Sequence, residues 1–223
     1  MDVIIPAAGL AKRMRGIPKF LLPANADYLS LLEIHLDNLR NSFSNIFLAT
    51  RPEIVPLIKS LDYDFRNMSI LEMHTSTMSE TVIKTLKVSK EDHHLLIMPD
   101  TFFLGQQPYL ELNQSPGICE LACWKIRDEQ RGKLGEINFD KDNKITGIVD
   151  KKIDTGFEYA WGALTFSNKL VSYINPKDPH IGYGVKKAFK SGEEITAKVI
   201  EGKYFDCGTP REYLDLLGET LIN

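Results

Sequence analysis

The sequence has few cysteines and no excess of basic residues. Its 223 residues include three cysteines, Cys119, Cys123 and Cys207, whose spacing matches no metal-binding pattern. A Cys-x3-Cys spacing on a strand-like segment is typical of core packing, so we expect reduced thiols. The formal net charge of -3 at pH 7 excludes the general basic field that non-specific nucleic-acid binding requires.

Targeting and membrane-spanning signals are also lacking. The first residues, MDVIIP, have neither the basic head nor the long apolar core of a signal peptide, and no later segment stays apolar for long enough to cross a bilayer. We therefore expect a cytoplasmic protein with no membrane partner and no nucleic-acid partner. With 43% hydrophobic residues, no internal repeat and no low-complexity linker, the chain is expected to form one domain. The sequence does not indicate the oligomeric state, so it leaves open whether the protein forms a homo-oligomer.

Short apolar runs alternate with amphipathic segments in the first half of the chain, and strand-like segments dominate the second half. Strands are predicted at 3–6, 45–50, 68–73, 94–98, 118–126, 134–140, 145–149, 158–166 and 197–200, and helices at 29–43, 52–61, 79–88, 167–174, 184–190 and 210–221. The sequence DKDN at 140–143 predicts a turn between two strands. The pattern predicts an α/β protein with a Rossmann-like, three-layer, mixed and mostly parallel sheet and an inserted antiparallel layer.

A glycine-bearing loop rich in cations follows the first predicted strand. Residues 5–20, IPAAGLAKRMRGIPKF, carry Lys12, Arg13, Arg15 and Lys19 but no acid. Backbone N–H groups at such a turn, with mobile cations around it, suit a polyphosphate. The loop is neither a Walker A motif nor a dinucleotide fingerprint, because it lacks the Gly-Lys-Ser/Thr end of the first and two glycines of the second. An ordinary strand-to-helix turn with solvated cations explains this pattern equally well.

Two aspartates follow predicted strands and are candidates for a metal site. Asp100 comes after the apolar run LLIMP, and Asp206 follows an aromatic pair and precedes Gly-Thr-Pro and a helix. Asp100 alone is better explained as a turn former. Ligands of open α/β sheets bind at the carboxyl ends of strands, and Mg²⁺ prefers one or two carboxylates with phosphate oxygens and water. The two acids and the cationic loop together therefore favour a site for a polyphosphate and Mg²⁺.

These motifs resemble those of the NTP:sugar-1-phosphate nucleotidyltransferase superfamily, and the resemblance covers nearly the whole chain. The superfamily includes glucose-1-phosphate thymidylyltransferases, mannose-1-phosphate guanylyltransferases and N-acetylmuramate-1-phosphate uridylyltransferases. Its pattern consists of Ala-Ala-Gly-x-x-x-Arg-Met, Pro-Lys, an Asp after a strand, an acid-Lys pair and Asp-x-Gly-Thr-Pro. The matching segments are 7–14, 18–19, 99–100, 150–151 and 206–210.

The resemblance implies the nucleotide-diphospho-sugar transferase fold and a Mg²⁺-dependent enzyme of the EC 2.7.7 type, which transfers NMP from an NTP to a sugar-1-phosphate and releases pyrophosphate. Residues 1–115 would form its nucleotide-binding half and residues 116–223 its acceptor-binding half. The implied catalytic residues are Arg13, Lys19, Asp100 and Asp206, of which Asp100 and Asp206 hold the metal. The implied nucleotide-binding residues are Ala7, Ala8, Gly9, Arg13, Lys19, Thr77, Ser79, Glu80 and Thr81. The implied acceptor-binding residues are Gly135, Lys151 and Gly162.

Departures from the superfamily pattern leave the substrates open. Gly9-Leu10-Ala11 stands in place of Gly-x-Gly, and an alanine restricts how closely the backbone approaches a phosphate. Residues 79–81, SET, stand where Gly-Thr-Ala typically contacts the base, so the nucleobase is not predicted. Two alternative functions remain: a cytidylyltransferase that acts on a non-sugar phosphate such as phosphocholine, and a non-catalytic homologue that binds nucleotides.

Overall fold

The computed structural model describes residues 1–112 and 117–221, so the boundary between the two expected halves, near residue 115, lies outside the described residues. The strands are β1 (Asp2–Ala7), β2 (Ile46–Thr50), β3 (Met68–Glu72), β4 (His93–Leu96), β5 (Thr101–Gly105), β6 (Cys119–Lys125), β7 (Gly135–Phe139), β8 (Ile145–Asp150), β9 (Tyr159–Ser167), β10 (Ile195–Val199) and β11 (Gly202–Asp206). The helices are α1 (Leu31–Leu39), α2 (Val55–Lys59), α3 (Met78–Leu86), α4 (Pro108–Glu111), α5 (Gly182–Lys190) and α6 (Pro210–Thr220). Short 3₁₀ helices connect several of them.

A mixed sheet with the strand order β10-β6-β9-β4-β1-β2-β3 runs through the molecule. Within the described part of the chain, all strands on this path point the same way except β9, which is antiparallel to both of its neighbours. Strands from both expected halves share this sheet, because β4 pairs with β9. The mixed, mostly parallel sheet confirms the fold class that the sequence predicts.

The antiparallel strands extend the central sheet beyond β4. One edge of β9 is shared, because its C-terminal part pairs with β4 and its N-terminal part pairs with β7. β7 and β8 form a hairpin, whose DKDN turn is confirmed: Asn143 adopts a left-handed φ of 61°, and the Asp140 N–H donates to the Lys144 carbonyl. The hairpin therefore lies beyond the C-terminal end of β4. A separate two-stranded antiparallel sheet, β5 with β11, was not predicted.

Apolar side chains cover both faces of the central sheet. On one face, Leu32, Leu36 and Leu39 of α1 are buried against β1 and β2, as their helical spacing predicts. Helix α1 begins at Leu31 rather than 29 because Ser30 caps it: the Ser30 side chain accepts from the Glu33 N–H, and the Glu33 carboxylate accepts from the Ser30 N–H at 2.7 Å. On the other face, α3 and α5 pack against the sheet.

Several local predictions need correction. The segment predicted as a helix at 167–174 is a 3₁₀ helix, Asn168–Tyr173, and the helix predicted at 52–61 is a 3₁₀ turn followed by the short α2.

The three cysteines are buried and free, as expected. Among the residues that the structure describes, no helix has the length and apolar character needed to cross a membrane.

Candidate active site

A cavity of about 820 Å³ opens where β1, β2 and β3 end, which is the edge at which open α/β sheets bind ligands. Residues from the loop after β1, from the segment before α3 and from the segment after β4 form its wall. Of the residues that the sequence analysis singled out, the cavity is lined by Ala7, Ala8, Gly9, Arg13, Lys19, Thr77, Thr81 and Asp100. The structure thus brings most of the predicted nucleotide-binding residues to one place.

The loop after β1 turns tightly and carries cations to the cavity. Ala11 adopts a left-handed conformation with φ 47°, and its carbonyl accepts the Met14 N–H at 2.9 Å, which closes the 3₁₀ turn Lys12–Met14. A left-handed alanine costs about 1 kcal/mol, a cost that glycine at this position would avoid. The turn directs Lys12 and Arg13 to the cavity wall, while a Cβ added at Gly9 would meet open space.

Asp100 and Asp206 meet through the small sheet of β5 and β11. Asp206, the last residue of β11, pairs in register with Thr101, the first residue of β5. The Cys207 N–H donates to the Asp100 carbonyl at 2.8 Å. Asp100, which lies in the turn before β5 and lines the cavity, is therefore held next to the end of β11, and its charge acts on the Asp206 carboxyl. Asp206 itself is not one of the residues that line the cavity.

Charge is concentrated around these two acids. Lys19 forms an ion pair with Asp100 through its Nζ and the carboxylate Oδ2, and the two side chains are only 15% and 22% exposed. Burial, followed by the charges of Asp100 and Glu212, raises the pKa of Asp206 to about 6, although Lys19 and Arg13 oppose the rise. The described residues contain no cluster of three or more His, Cys, Asp or Glu side chains suited to a metal ion.

Because Gly208 has no side chain, it leaves room for the charged groups of Asp206, Glu212 and Arg13 to approach one another. A Cβ at Gly208 would lie 3.0 Å from Asp206 Oδ1, 3.2 Å from Glu212 Oε2 and 3.3 Å from Arg13 Nη1. Glu212 is a site residue that the sequence analysis missed. The signal for it was the TPRE sequence at 209–212, a capping-box pattern, since the Thr209 side chain caps α6 and donates to the Glu212 carboxylate at 2.9 Å.

Three threonines line the opposite wall at the start of α3. Thr77 caps the helix by accepting the Glu80 N–H at 3.0 Å. The hydroxyls of Thr75 and Thr81 are 2.6 Å apart, and both residues line the cavity together with Thr77. This wall presents hydroxyl groups rather than charges.

Ser79 and Glu80, also predicted to bind the nucleotide, do not line this cavity. Ser79 is fully buried behind the wall. The Glu80 carboxylate pairs with Lys84 at 2.8 Å and accepts the Ser76 N–H at 2.8 Å, so it stabilises the first turn of α3 and the loop before it.

Arg51 is a second cavity residue that the sequence analysis missed. It follows β2 directly, its side chain is 13% exposed, and its Nη1 pairs with Glu53 at 2.8 Å. Its Nε is buried with no hydrogen-bond partner among the described residues. The available signal was its position, because a polar residue directly after a parallel strand lies at the ligand-binding edge of the sheet.

The predicted acceptor residues separate onto two faces of the sheet. Gly135 begins β7 and pairs with Asp150, and Lys151 follows Asp150 with a left-handed φ of 49°. Gly162 packs elsewhere: a Cβ there would lie 2.9 Å from Trp124 of β6 and 3.1 Å from Tyr204 of β11, whose rings are stacked. Gly162 therefore makes room for the packing that supports Asp206, and it is not brought together with Gly135 and Lys151.

The fold around this site is the nucleotide-diphospho-sugar transferase fold. No protein-family model and no curated protein matches the sequence. Among solved structures, the inositol-1-phosphate CTP transferase from T. maritima is similar, with a TM-score of 0.79, 16% identity, and coverage of 98% of this chain and 95% of that one. A UDP-glucose pyrophosphorylase complexed with UDP-glucose matches with a TM-score of 0.81, 16% identity, and coverage of 98% and 97%. A putative glucose-1-phosphate thymidylyltransferase from Bacillus anthracis matches with a TM-score of 0.80, 19% identity, and coverage of 98% and 94%.

Proposed function

We propose that the protein is a Mg²⁺-dependent nucleotidyltransferase that transfers NMP from an NTP to a sugar-1-phosphate and releases pyrophosphate. The observation that carries this proposal is the meeting of Asp100 and Asp206 beside a cavity whose wall holds Lys12, Arg13 and Lys19. Neither a core cluster nor a solvated surface explains two adjacent carboxylates that face several cations at the edge of a sheet. A triphosphate with its metal requires both kinds of charge.

The cations are suited to the triphosphate. Arg13 presents a planar guanidinium that can bind two phosphate oxygens at once, while Lys12 and Lys19 add point charges. Lys19 is mostly buried against Asp100, so its charge acts where water is partly excluded and electrostatic interactions are stronger. Thr75, Thr77 and Thr81 line the same cavity, and this uncharged wall is suited to the nucleoside.

The carboxylate pair fits Mg²⁺. This ion usually takes one or two protein carboxylates and completes its coordination with phosphate oxygens and water. A cation bound here would also relieve the repulsion from Asp100 and Glu212 that contributes to the raised pKa of Asp206. When bound, Mg²⁺ would supply neutralisation of the phosphate charge and a fixed orientation for the triphosphate.

The proposed reaction needs no covalent intermediate with the protein. A phosphate oxygen of the acceptor attacks the α-phosphorus of the NTP and forms a new P–O bond. The bond from the α-phosphorus to the oxygen that bridges it to the β-phosphorus breaks, and pyrophosphate leaves with the electron pair. Arg13 and Lys19 hold the two anionic reactants in line and screen their repulsion, so positioning and electrostatics provide the rate enhancement.

Structures with the same fold support this choice of reaction class. One is an inositol-1-phosphate CTP transferase and another is a UDP-glucose pyrophosphorylase complexed with UDP-glucose. Those activities belong to the proteins so named. The cationic loop and the acid pair of the present chain provide the groups that transfer of a nucleotide to a phosphorylated sugar or cyclitol requires.

A pyrophosphate-release assay tests the proposal. The purified protein is given each of the four NTPs with Mg²⁺ and a panel of phosphorylated acceptors, and we expect release only when the nucleotide, the acceptor and Mg²⁺ are all present. Asp206→Asn should lower turnover by roughly 10²-fold or more, by analogy with other single electrostatic groups. Asp215→Asn, which changes an exposed acid on α6, is the matched control and should retain full activity. Nucleotide binding without release of pyrophosphate would favour the non-catalytic alternative.

A further inference from the structure

Arg51 lies at the end of the cavity that is remote from the two aspartates. Asp100 follows β4, the cationic loop follows β1 and Arg51 follows β2, and these three strands are neighbours in that order. Two strand spacings, roughly 10 Å, therefore separate β2 from β4 across the sheet. Arg13 and Lys19 are close enough to the acids to act on the pKa of Asp206. A nucleotide whose triphosphate lies at the Asp100 end would therefore extend its nucleoside toward Arg51.

The Arg51 guanidinium is held in place and its charge is balanced. The side chain is only 13% exposed, and its Nη1 donates to Glu53 Oε1 at 2.8 Å. Its Nη2 makes no hydrogen bond to a described residue, so N–H donors remain for a ligand. The Arg51–Glu53 pair is close to neutral overall and attracts a phosphate only weakly. Hydrogen bonds to the uncharged acceptors of a nucleobase do not require a net charge.

Uncharged side chains lie next to Arg51 in the cavity wall. The Ile54 N–H donates to the Arg51 carbonyl at 3.0 Å, and Ile54 lines the cavity. The Met73 N–H donates to the Thr50 carbonyl at 2.9 Å, which places the segment after β3 beside Arg51. Thr75 of that segment also lines the cavity. This end of the cavity thus combines apolar and hydroxyl groups with one guanidinium, which suits a flat ring with a polar edge.

The donor pattern of a guanidinium distinguishes between nucleobases. Its N–H groups lie side by side, and it has no acceptor. It therefore matches a base edge on which two acceptors are neighbours, namely O6 and N7 of guanine or O2 and N3 of cytosine. Uracil and thymine place an N–H between their two oxygens, and adenine has no two neighbouring acceptors. Those three bases offer the guanidinium only one acceptor at a time.

We propose that Arg51 binds the nucleobase and selects GTP or CTP against ATP, UTP and dTTP. Two of its N–H donors bind the neighbouring acceptors of the base, and Glu53 is the positioning residue that holds the guanidinium. Arg51 is thus a specificity-determining residue. This inference rests on the part of the proposed function that places a nucleotide in the cavity with its triphosphate at the Asp100 end.

The nucleotide selectivity of two Arg51 variants tests the assignment. We would measure kcat/KM for GTP, CTP, ATP, UTP and dTTP in the pyrophosphate assay with Mg²⁺ and one acceptor. The wild type should use GTP or CTP about tenfold better than the other three, as one bidentate contact to a base predicts. Arg51→Lys keeps the cation but binds acceptors singly, so this preference should largely disappear. Arg51→Gln should also raise the relative use of ATP, because its amide donor and acceptor match N7 and the amino group of adenine.

The matched control is Arg66→Lys. Arg66 precedes β3 at the opposite edge of the sheet, and its side chain is 79% exposed, so this change should leave the preference unaltered. Selectivity is a ratio measured on one preparation, so it does not depend on the fraction of a variant that is folded. If Arg51 bound a phosphate instead, Arg51→Lys would lower kcat/KM for every NTP by the same factor. An unchanged ratio in Arg51→Lys would therefore overturn the inference.

Binding measurements separate this inference from the proposed function. Dissociation constants of the same Mg²⁺–NTP complexes, measured by calorimetry, should show the same preference and the same change in the variants. A wild type that binds GTP or CTP selectively but releases no pyrophosphate with any acceptor would overturn nucleotidyl transfer and leave the role of Arg51 intact. A wild type that uses ATP, UTP or dTTP as well as GTP and CTP would overturn the role of Arg51 alone. A protein that binds no NTP would overturn both.

Discussion

Asp206 should lower the stability of the folded protein at neutral pH, and this cost can be measured. Burial and the neighbouring acids raise its pKa from 3.8 to about 6, a difference that corresponds to roughly 3 kcal/mol. As pH rises from about 4 to 6, the unfolded chain loses this proton before the folded chain does, so the free energy of unfolding falls across that window. Above about pH 6 the loss is complete. Asp206→Asn removes the titration and should be more stable than the wild type at pH 8 by up to about 3 kcal/mol.

Urea denaturation at pH 4 and pH 8 in the presence of a chelator measures this effect. The stability advantage of Asp206→Asn should be present at pH 8 and largely absent at pH 4, and the Asp215→Asn control should show no such pH dependence. Replacing the chelator with Mg²⁺ should stabilise the wild type more than Asp206→Asn, because a ligand that binds the folded state alone raises its stability. If the stability of Asp206→Asn relative to the wild type were the same at both pH values, Asp206 would not have a raised pKa in the folded protein.

Three further substitutions have defined outcomes. Lys19→Met removes a cation from the triphosphate site, so kcat/KM for the NTP in the pyrophosphate assay should fall at least tenfold, which corresponds to roughly 1.4 kcal/mol. An unchanged kcat/KM would show that Lys19 is not part of the site. Gly162→Ala forces a methyl group against two stacked rings and should cost about 1–3 kcal/mol, which calorimetry would detect as a lower melting temperature; an unchanged one would contradict the packing. Ser30→Ala removes the cap of α1 and should cost about 1 kcal/mol in urea denaturation with activity unchanged, whereas wild-type stability would show that the cap contributes little.

The alternation of strands and helices in the first half could be predicted because its signal is local. The apolar run before Pro6 and the leucine spacing of α1 each report burial of one element against the sheet. The cationic loop could be predicted equally well, since Arg13 and Lys19 follow β1 and ligands bind at strand ends. These features depend on neighbours within a few residues.

The proximity of Asp100 and Asp206 depends on residues that are distant in the sequence, so it was harder to predict from the sequence. Only four residues separate β5 from β4, yet β5 pairs with β11, which lies far away in the sequence, so no local pattern indicates the pairing. Two side chains from the loop after β6, Arg127 and Gln130, donate to the Tyr204 carbonyl and help to hold β11 in place. No spacing rule predicts such contacts. The same limit applies to Gly162, which the resemblance implied as an acceptor residue: a glycine in a strand signals close packing but does not identify its neighbours, here Trp124 and Tyr204.

We propose that Asp100 and Asp206 jointly bind the metal of a nucleotide complex. Crystals grown with Mn²⁺ and a non-hydrolysable NTP analogue test it directly, because Mn²⁺ has an anomalous signal that locates the ion. We expect an anomalous peak within coordination distance of both carboxylates, with the triphosphate reaching the ion from the Arg13 side. An ion bound elsewhere, or a nucleotide in the cavity with no ion between the two aspartates, would contradict it.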